Sequence, residues 1–404
     1  MKVDFMPILL ASDINVYSMA RAFHEAYGIK SLMVARGRGG ITGEGMTTIL
    51  DYIEEKNLDD TRVFLKTMDE IAEKYGKEKK LLLLGCADHY VRLIVENKEY
   101  LKEKFILPYS DKPILDNITL KESFYHLCDK YGLDYAKTFI YTPEMNYDFE
   151  IDFGYPVVLK ASDSVKYHKN HFEGFHKAYF INSKEELIKT LKLIYANGYD
   201  DHMIIQDMVP GSDDCIYDLQ MYIGSDHKIK HMNLGNVLLE EHTPTAIGNN
   251  AATLTVYNEE LMLKVGHMME DIGYEGFADA DIKYDARDGK YKMFEINIRQ
   301  GRSHYRVTGA GRNYAQLVVD DYVYHKDIPM NLATGPHFWH VVPLGVVYKY
   351  VKDKEKLAVV KDCVKKGLVC DSQYYPKDMP IKRWLYLKAR QLNMFRKFKK
   401  YYPQ

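Results

Sequence analysis

Residues 276–305 read GFADADIKYDARDGKYKMFEINIRQGRSHY. Two strand-like runs, Phe277 to Tyr284 and Tyr291 to Ile298, flank Asp288-Gly289, a dipeptide that favours a tight hairpin turn. Glu295 and Asn297 are two residues apart, so strand alternation puts both on one face. Asp281 lies on the partner strand and joins them if the turn sets the right register, whereas a one-residue slip sends it to the other face. Two carboxylates and an amide oxygen are hard donors of the kind Mg²⁺ takes, with water and nucleotide phosphates completing its shell. Arg299 and Arg302 follow, and guanidinium forks grip phosphate or carboxylate oxygens. An exposed hairpin with scattered charges is the competing reading of the acids alone. The amide and the two arginines count against it.

Toward the N-terminus the texture is α/β. Phe5 to Leu10 is a strand, Ser12/Asp13 caps a helix to Tyr27, Gly28 stops it, and Ser31 to Val34 is the next strand. Lys80 to Leu84 is a four-leucine strand running through Gly85 toward Asp88 and a helix, so a parallel sheet extends to about residue 108. Ligands favour the C-terminal ends of such strands, which singles out Ser12, Asp13, Arg36 and Asp88. The loop Arg36-Gly37-Arg38-Gly39-Gly40 is basic and either holds an anionic substrate or is simply solvated.

From Pro108 the pattern changes. Leu115 to Lys130 reads as one amphipathic helix ended by Gly132, followed by strands Thr138 to Tyr141 and Pro156 to Lys160. A polar, His-rich loop runs from Ala161 to His176, a capping box spans Ser183 to Glu186, and Met203 to Asp207 is a strand ending at Met208-Val209-Pro210-Gly211. Leu219 to Gly224 and Lys228 to Asn236 form a second hairpin, and Asn258 caps a helix over 259–272. Lys160 ends an apolar strand, a costly place for an ammonium unless an anion or cavity receives it.

The ordered set Gly276, Asp281, Glu295, Asn297, Arg299 and Arg302 resembles the metal-binding end of ATP-grasp ligases, which carry a Gly, an acidic or amide ligand five residues later, and Glu-x-Asn-x-Arg with a further Arg. The resemblance covers roughly residues 5–325. It implies an α/β ATP-grasp fold with an N-terminal Rossmann-like (pre-ATP-grasp) domain, 1–110, an ATP-grasp domain, 111–328, and a C-terminal basic helical extension, 329–404. It further implies that Asp281, Glu295 and Asn297 hold Mg²⁺, or Mn²⁺ in its place, against ATP phosphates, and that Arg299 and Arg302 stabilise the phosphoryl group and an acyl phosphate. Lys121 and Lys160 match the family's two phosphate-binding lysines. Gln206, Asp207, Met208 and Val209 look like the hinge whose backbone holds adenine, and Asp214 stands where a ribose-binding acid is expected. One departure concerns the phosphate lid: the family's Gly/Ser-rich flap is here Ser162 to Gly174 with a single glycine, so Lys166, Lys169 and Lys177 would cover the phosphates by charge.

Within the family, the opening Leu10 to Glu25 and the run Asn297 to Ser303 are similar to the branch that activates the β-carboxylate of D-aspartate and attaches it to the lysine side chain of a UDP-linked muropeptide. The resemblance therefore implies an ADP-forming carboxylate–amine ligase acting on a small-molecule carboxylate and an amine. A dipeptide ligase with a free amino-acid acceptor, a carboxylase or synthetase subunit, and a non-catalytic ATP-binding regulator are the alternatives.

Composition is consistent with this. The chain has 404 residues, enough for two or three packed domains, with 46% hydrophobic and 28% charged residues and a formal net charge of −2, which gives no global attraction to nucleic acid. Thirty-four tyrosines against two tryptophans are read as compositional bias. Five scattered cysteines lack Cys-x-x-Cys spacing and fit a reducing compartment. His168, His171, His176, His231 and His242 lack the spacing and thiolate partners of a zinc site, although His242 is a candidate ATP or substrate contact. The N-terminal apolar stretch is too short and too broken by Asp4 for a signal peptide, so a cytoplasmic location is expected. From Met379 to Gln404 no acidic residue occurs. There, Trp384, Leu387, Met394, Phe395 and Phe398 fall on one side of a helical wheel, which suits either docking on the protein body or peripheral contact with an anionic membrane. The oligomeric state is left open.

Overall fold

The computed structural model describes residues 3–163, 166, 167, 170–244 and 246–403. The chain forms two compact units, one of residues 1–115, 213–281 and 296–404, the other of residues 116–212 and 282–295.

The larger unit opens with a four-stranded parallel sheet in the order Leu50–Glu54, Ser31–Ala35, Phe5–Leu10, Lys80–Gly85. Ile8, Leu9 and Leu10 are fully buried between Leu32–Val34 and Leu83–Gly85. Helix Ile14–Tyr27 starts as expected, with the Asp13 carboxylate accepting from the Asn15 and Val16 amides, and ends where Gly28 turns left-handed (φ 66°) and donates its N–H to the His24 carbonyl. Strand Leu50–Glu54 and helix Thr61–Tyr75 were not anticipated. That strand lies at the sheet edge with no fully buried residue, so it lacks the apolar run that marks a central one.

The same unit holds a mixed sheet in which strands Ile216–Ile223, Ile229–Glu241, Asn249–Val256 and Phe338–His340 are consecutive antiparallel neighbours, with Val369–Asp371 parallel to the last at the far edge. The expected second hairpin is present and longer than its sequence pattern indicates. Asn258 caps helix Glu259–Asp271 by accepting from the Leu261 amide. The C-terminal helix Ile381–Tyr401 packs on this unit, placing Met394 and Phe398 in one core with Leu239, Ala252, Val346 and Val347.

The smaller unit is an antiparallel four-stranded sheet in the order Thr138–Tyr141, Met203–Asp207, Val157–Ala161, Tyr179–Ile181. Helix Lys184–Ala196 covers it through Leu187, Leu191 and Ile194. Ser183 caps that helix by accepting from the Glu186 amide, but the Glu186 carboxylate answers the Asn182 amide rather than its own cap residue. The single helix expected over Leu115 to Lys130 is two, Lys112–Thr119 and Lys121–Tyr131. The chain turns extended at Leu120 (ψ 122°) with no glycine or proline to mark the break, and Lys121 becomes the first residue of the second helix.

The hairpin is formed by strands Gly276–Asp285 and Lys290–Asn297, with its tip in the smaller unit and its base in the larger. Gly289 closes the turn with φ 73° and donates to the Asp285 carbonyl.

Candidate active site

In the smaller unit, strand Val157–Ala161 buries Val157, Leu159 and Ala161, which turns Lys160 to the other face. Its ammonium donates to Gln206 Oε1 at 2.9 Å. Gln206 is held in turn by donating to the Tyr125 hydroxyl and to Thr138 Oγ1, both at 2.9 Å. The amide thus presents its oxygen, with no formal charge, to Lys160. Lys121 Nζ reaches Glu295 Oε2 at 3.1 Å. Burial pulls the Lys160 ammonium down to about 7; Lys121 and Lys177 push the same way, and Glu295 only partly offsets them. For Glu295 burial acts in the opposite sense and raises it, but Lys121, Lys177 and Lys160 outweigh burial and hold it at about 2. Three lysines therefore share the field of one carboxylate.

The expected hinge strand Met203–Asp207 forms with the anticipated bounds, and Val209 is buried. The Asp207 side chain is engaged by Arg287 Nη2 at 2.6 Å, a guanidinium that also pairs with Asp285 at 2.7 Å. Arg287 was missed because it lies among the hairpin's turn residues, where a charge normally signals only solvation. The Asp207 N–H is also committed, donating to the Lys137 carbonyl at 2.9 Å. Lys177 was foreseen as a lid lysine and lies within electrostatic reach of Lys160 and Glu295. Lys166 is instead held by Asp200 and Asp201 at 2.9 and 3.2 Å. His168 and Lys169 lie outside the described residues.

In the larger unit the hairpin base resolves the register left open by the sequence: Asn297 Nδ2 donates to Asp281 Oδ2 at 3.0 Å, so these two side chains share a face. Glu295 precedes Asn297 by two residues on the same strand. Behind Asp281, burial together with the Asp281 and Asp218 carboxylates pushes Asp279 well above the usual carboxylate range. That concentration of acid, with Asp281 and Asn297 in contact, suits a hard divalent cation. Among the described residues no group of three or more His, Cys, Asp and Glu side chains converges as a metal cluster, so the candidate set depends on the Asn297 amide.

Arg299 Nε pairs with Asp88 Oδ2 at 3.0 Å, joining the hairpin exit to the end of the parallel sheet, where ligands were expected. Arg302 Nη2 pairs with Glu241 Oε1 at 2.8 Å, and the C-terminal helix contributes Arg390, 3.7 Å from the same oxygen. Arg390 was read only as part of a basic helix, since nothing local distinguishes it from its neighbours. Burial raises Asp13, and Arg302 and Arg299 oppose this electrostatically. Beneath the turn, Arg306 is fully buried and makes two bonds to Asp218 (2.9 and 3.0 Å), one to Asn233 Oδ1 (2.9 Å) and one to Ser303 Oγ (2.9 Å). Any side chain at Gly301 would run into the Asp279 carboxylate, so the turn between Arg299 and Arg302 requires glycine for close approach. Asp214 is half-buried and faces Lys356 of helix Lys354–Lys366 at 3.6 Å, another partner without a sequence signal. His242 is tied to Asp213 at 2.9 Å, and Arg36 to Asp59 at 2.6 Å on the surface.

No protein-family model matches the chain. A D-aspartate ligase from Enterococcus faecium (strain Aus0004) is 39% identical over 410 residues, covering 99% of this chain and 97% of the relative. Solved structures share the fold at low identity. The L-amino acid ligase of Bacillus licheniformis superposes with a TM-score of 0.56 at 14% identity, over 80% of this chain and 75% of its own. The N5-carboxyaminoimidazole synthetase of Staphylococcus aureus, complexed with ADP, gives 0.59 at 13%, over 84% and 82%. The biotin carboxylase domain of the Hydrogenobacter thermophilus 2-oxoglutarate carboxylase, complexed with MgADP and bicarbonate, gives 0.60 at 13%, over 81% and 71%. These neighbours are ATP-grasp enzymes, and with a 39% identical relative along essentially its whole length, the chain belongs to the D-aspartate ligase family of ATP-grasp carboxylate–amine ligases.

Proposed function

We propose that the protein uses ATP to convert the β-carboxylate of D-aspartate into an acyl phosphate and joins it to an amine of a peptidoglycan precursor, releasing ADP and phosphate. The observation that carries this reading is the excess of cation around Glu295, where Lys121, Lys160 and Lys177 act on a single carboxylate. A polyphosphate supplies the missing negative charge and returns Lys160 to its charged form.

The roles are assigned here from the family resemblance. Lys121 and Lys160 hold ATP phosphates, backbone groups of Gln206 to Val209 hold adenine, with the Asp207 side chain fixed by Arg287, and Asp214 meets the ribose. Mg²⁺, or Mn²⁺, carried by Asp281, Glu295 and Asn297 would supply charge neutralisation at the transferring phosphoryl group. A carboxylate oxygen of the substrate attacks the γ-phosphorus, the bond to the β–γ bridging oxygen breaks, and ADP leaves. The acceptor amine then attacks the acyl carbon, phosphate departs with the C–O electron pair, and the nitrogen loses a proton. Arg299 and Arg302 stabilise the charge that develops on phosphoryl and acyl oxygens. In this reading residues 1–110 bear on the amino-acid side, 111–328 clasp the nucleotide, and 329–404 supply Arg390 and Lys356 as partners of Glu241 and Asp214. No helix among the described residues is long and apolar enough to cross a membrane. A cytoplasmic station with peripheral membrane contact through the C-terminal helix belongs to the same reading.

The test is ADP release across D- and L-amino acids, with and without a muropeptide acceptor. D-aspartate should stand out, and amide formation should require the muropeptide. Preference for an L-amino acid with a free amino-acid acceptor would make the protein a dipeptide ligase instead.

A further inference from the structure

The C-terminal helix Ile381–Tyr401 has two apolar faces, and only one is packed. Arg383, Leu387, Met394 and Phe398 turn inward and are buried. With 3.6 residues per turn, Ile381, Trp384, Leu385, Leu392 and Phe395 fall together on the outward side. Their exposures are 80%, 44%, 56%, 68% and 42%. A helix docked by one face ordinarily presents a polar face to water, so five large apolar side chains on the outside need a reason.

The charge of this face identifies its partner. Lys388 and Lys399 lie within the outward stripe and Arg396 at its edge, all exposed, and the segment from Met379 to Gln404 contains no acid. From residue 344 onward there are sixteen Lys and Arg against five Asp and Glu, in a chain whose formal net charge is −2. A second copy would meet this face with the same sign, which opposes pairing. An anionic lipid surface presents negative headgroups and an apolar layer in one plane, matching Lys and Arg interleaved with Trp, Leu, Ile and Phe. We propose that the outward face of this helix is a docking surface for anionic bilayers, while the inward face stays packed on the protein. The inference deepens the peripheral contact proposed above, and vesicle binding can fail while ADP release stands, so the two are tested separately.

The two tryptophans provide the assay. Trp339 is fully buried and Trp384 is 44% exposed, so a change in tryptophan emission on adding vesicles reports the helix. With full-length protein at low salt, phosphatidylglycerol-containing vesicles should sediment the protein and shift emission to the blue, and phosphatidylcholine vesicles should do neither. Both effects should vanish near ~0.5 M salt, where the screening length falls to a few Å. Trp384→Phe should remove the shift. Leu385→Ser with Leu392→Ser, or Lys388→Glu with Arg396→Glu, should weaken partitioning by roughly tenfold or more at an unchanged melting temperature. Protein remaining in the supernatant with anionic vesicles, or equal binding to neutral ones, overturns the proposal. So does an emission shift with soluble poly-glutamate but not with vesicles, which reassigns the face to an acidic polypeptide. A dimer in sedimentation velocity that Leu385→Ser dissociates, without vesicle binding, reassigns it to a second copy.

Discussion

Lys160 sits beside a formally neutral amide oxygen and two other lysines, and the cost of that placement is visible as an ammonium held near 7. The sign follows directly. Between about pH 7 and the unfolded lysine value, the unfolded chain binds the proton that the folded chain has released, so stability rises with pH across that window. Below pH 7 the residue is charged in both states and its burial penalty is fully present. Lys160→Met should therefore stabilise the nucleotide-free protein below pH 7 and weaken ATP binding. ATP phosphates would recharge the ammonium, so nucleotide binding near pH 8 should take up close to one proton, by roughly the tenth protonated before binding against nearly all after. Titration calorimetry in buffers of different ionisation enthalpy measures that uptake, and an identical value in Lys160→Met would refute the assignment. Glu295 has the opposite linkage. Held at about 2, it contributes stability present above the ordinary Glu range and lost as pH falls toward 2. Glu295→Gln removes both a proposed metal ligand and the counter-charge of Lys121, and should abolish ADP formation while leaving circular dichroism unchanged. Near-normal turnover in that folded variant would show that the hairpin does not carry the metal.

Among the elements, the hairpin and the C-terminal helix differ in how far their sequences could be read. The hairpin bounds, the Asp13 and Gly28 helix ends and the strand Met203–Asp207 were legible because turn chemistry and apolar alternation agree there. The hard-donor set Asp281, Glu295 and Asn297 could be read from residue types and alternation, its role against ATP phosphates came from resemblance, and only the contact of Asn297 with Asp281 decided the register. Arg287, Arg306, Lys356 and Arg390 were illegible, since the acids they reach across the fold, Asp207, Asp218, Asp214 and Glu241, lie 80 to 149 residues away in the chain and no local rule connects them. For the C-terminal helix, five apolar residues were assigned to one side, and the structure divides them: Leu387, Met394 and Phe398 are packed, Trp384 and Phe395 exposed. Met394→Ala and Phe398→Ala should each cost ~2–5 kcal/mol, since they open cavities in a filled core, whereas Leu392→Ser should stay within about 0.5 kcal/mol. Thermal and denaturant melts decide this, and a neutral Met394→Ala would mean that the helix is not docked as described. Arg306→Leu should cost ~3–5 kcal/mol by leaving the Asp218 carboxylate buried and unpaired. In a double-mutant cycle with Asp218→Asn, the two effects should fall short of adding.

For the molecule as a whole, the proposed reaction uses ATP to activate a carboxylate, and that carboxylate belongs to D-aspartate. Two ATP-grasp features bear on it: basic side chains gathered where phosphates would lie, and no protein nucleophile required, because phosphoryl transfer depends on positioning and charge. The direct measurement is the fate of a carboxylate oxygen. The protein is incubated with ATP, Mg²⁺, a muropeptide acceptor and D-aspartate labelled with ¹⁸O in its β-carboxylate, and the released phosphate is analysed by mass spectrometry. An acyl-phosphate route predicts one labelled oxygen in each phosphate released, with ADP and the β-aspartyl amide formed in equal amounts. Unlabelled phosphate, AMP with pyrophosphate, or label transfer from L-aspartate in preference to D-aspartate would contradict the account.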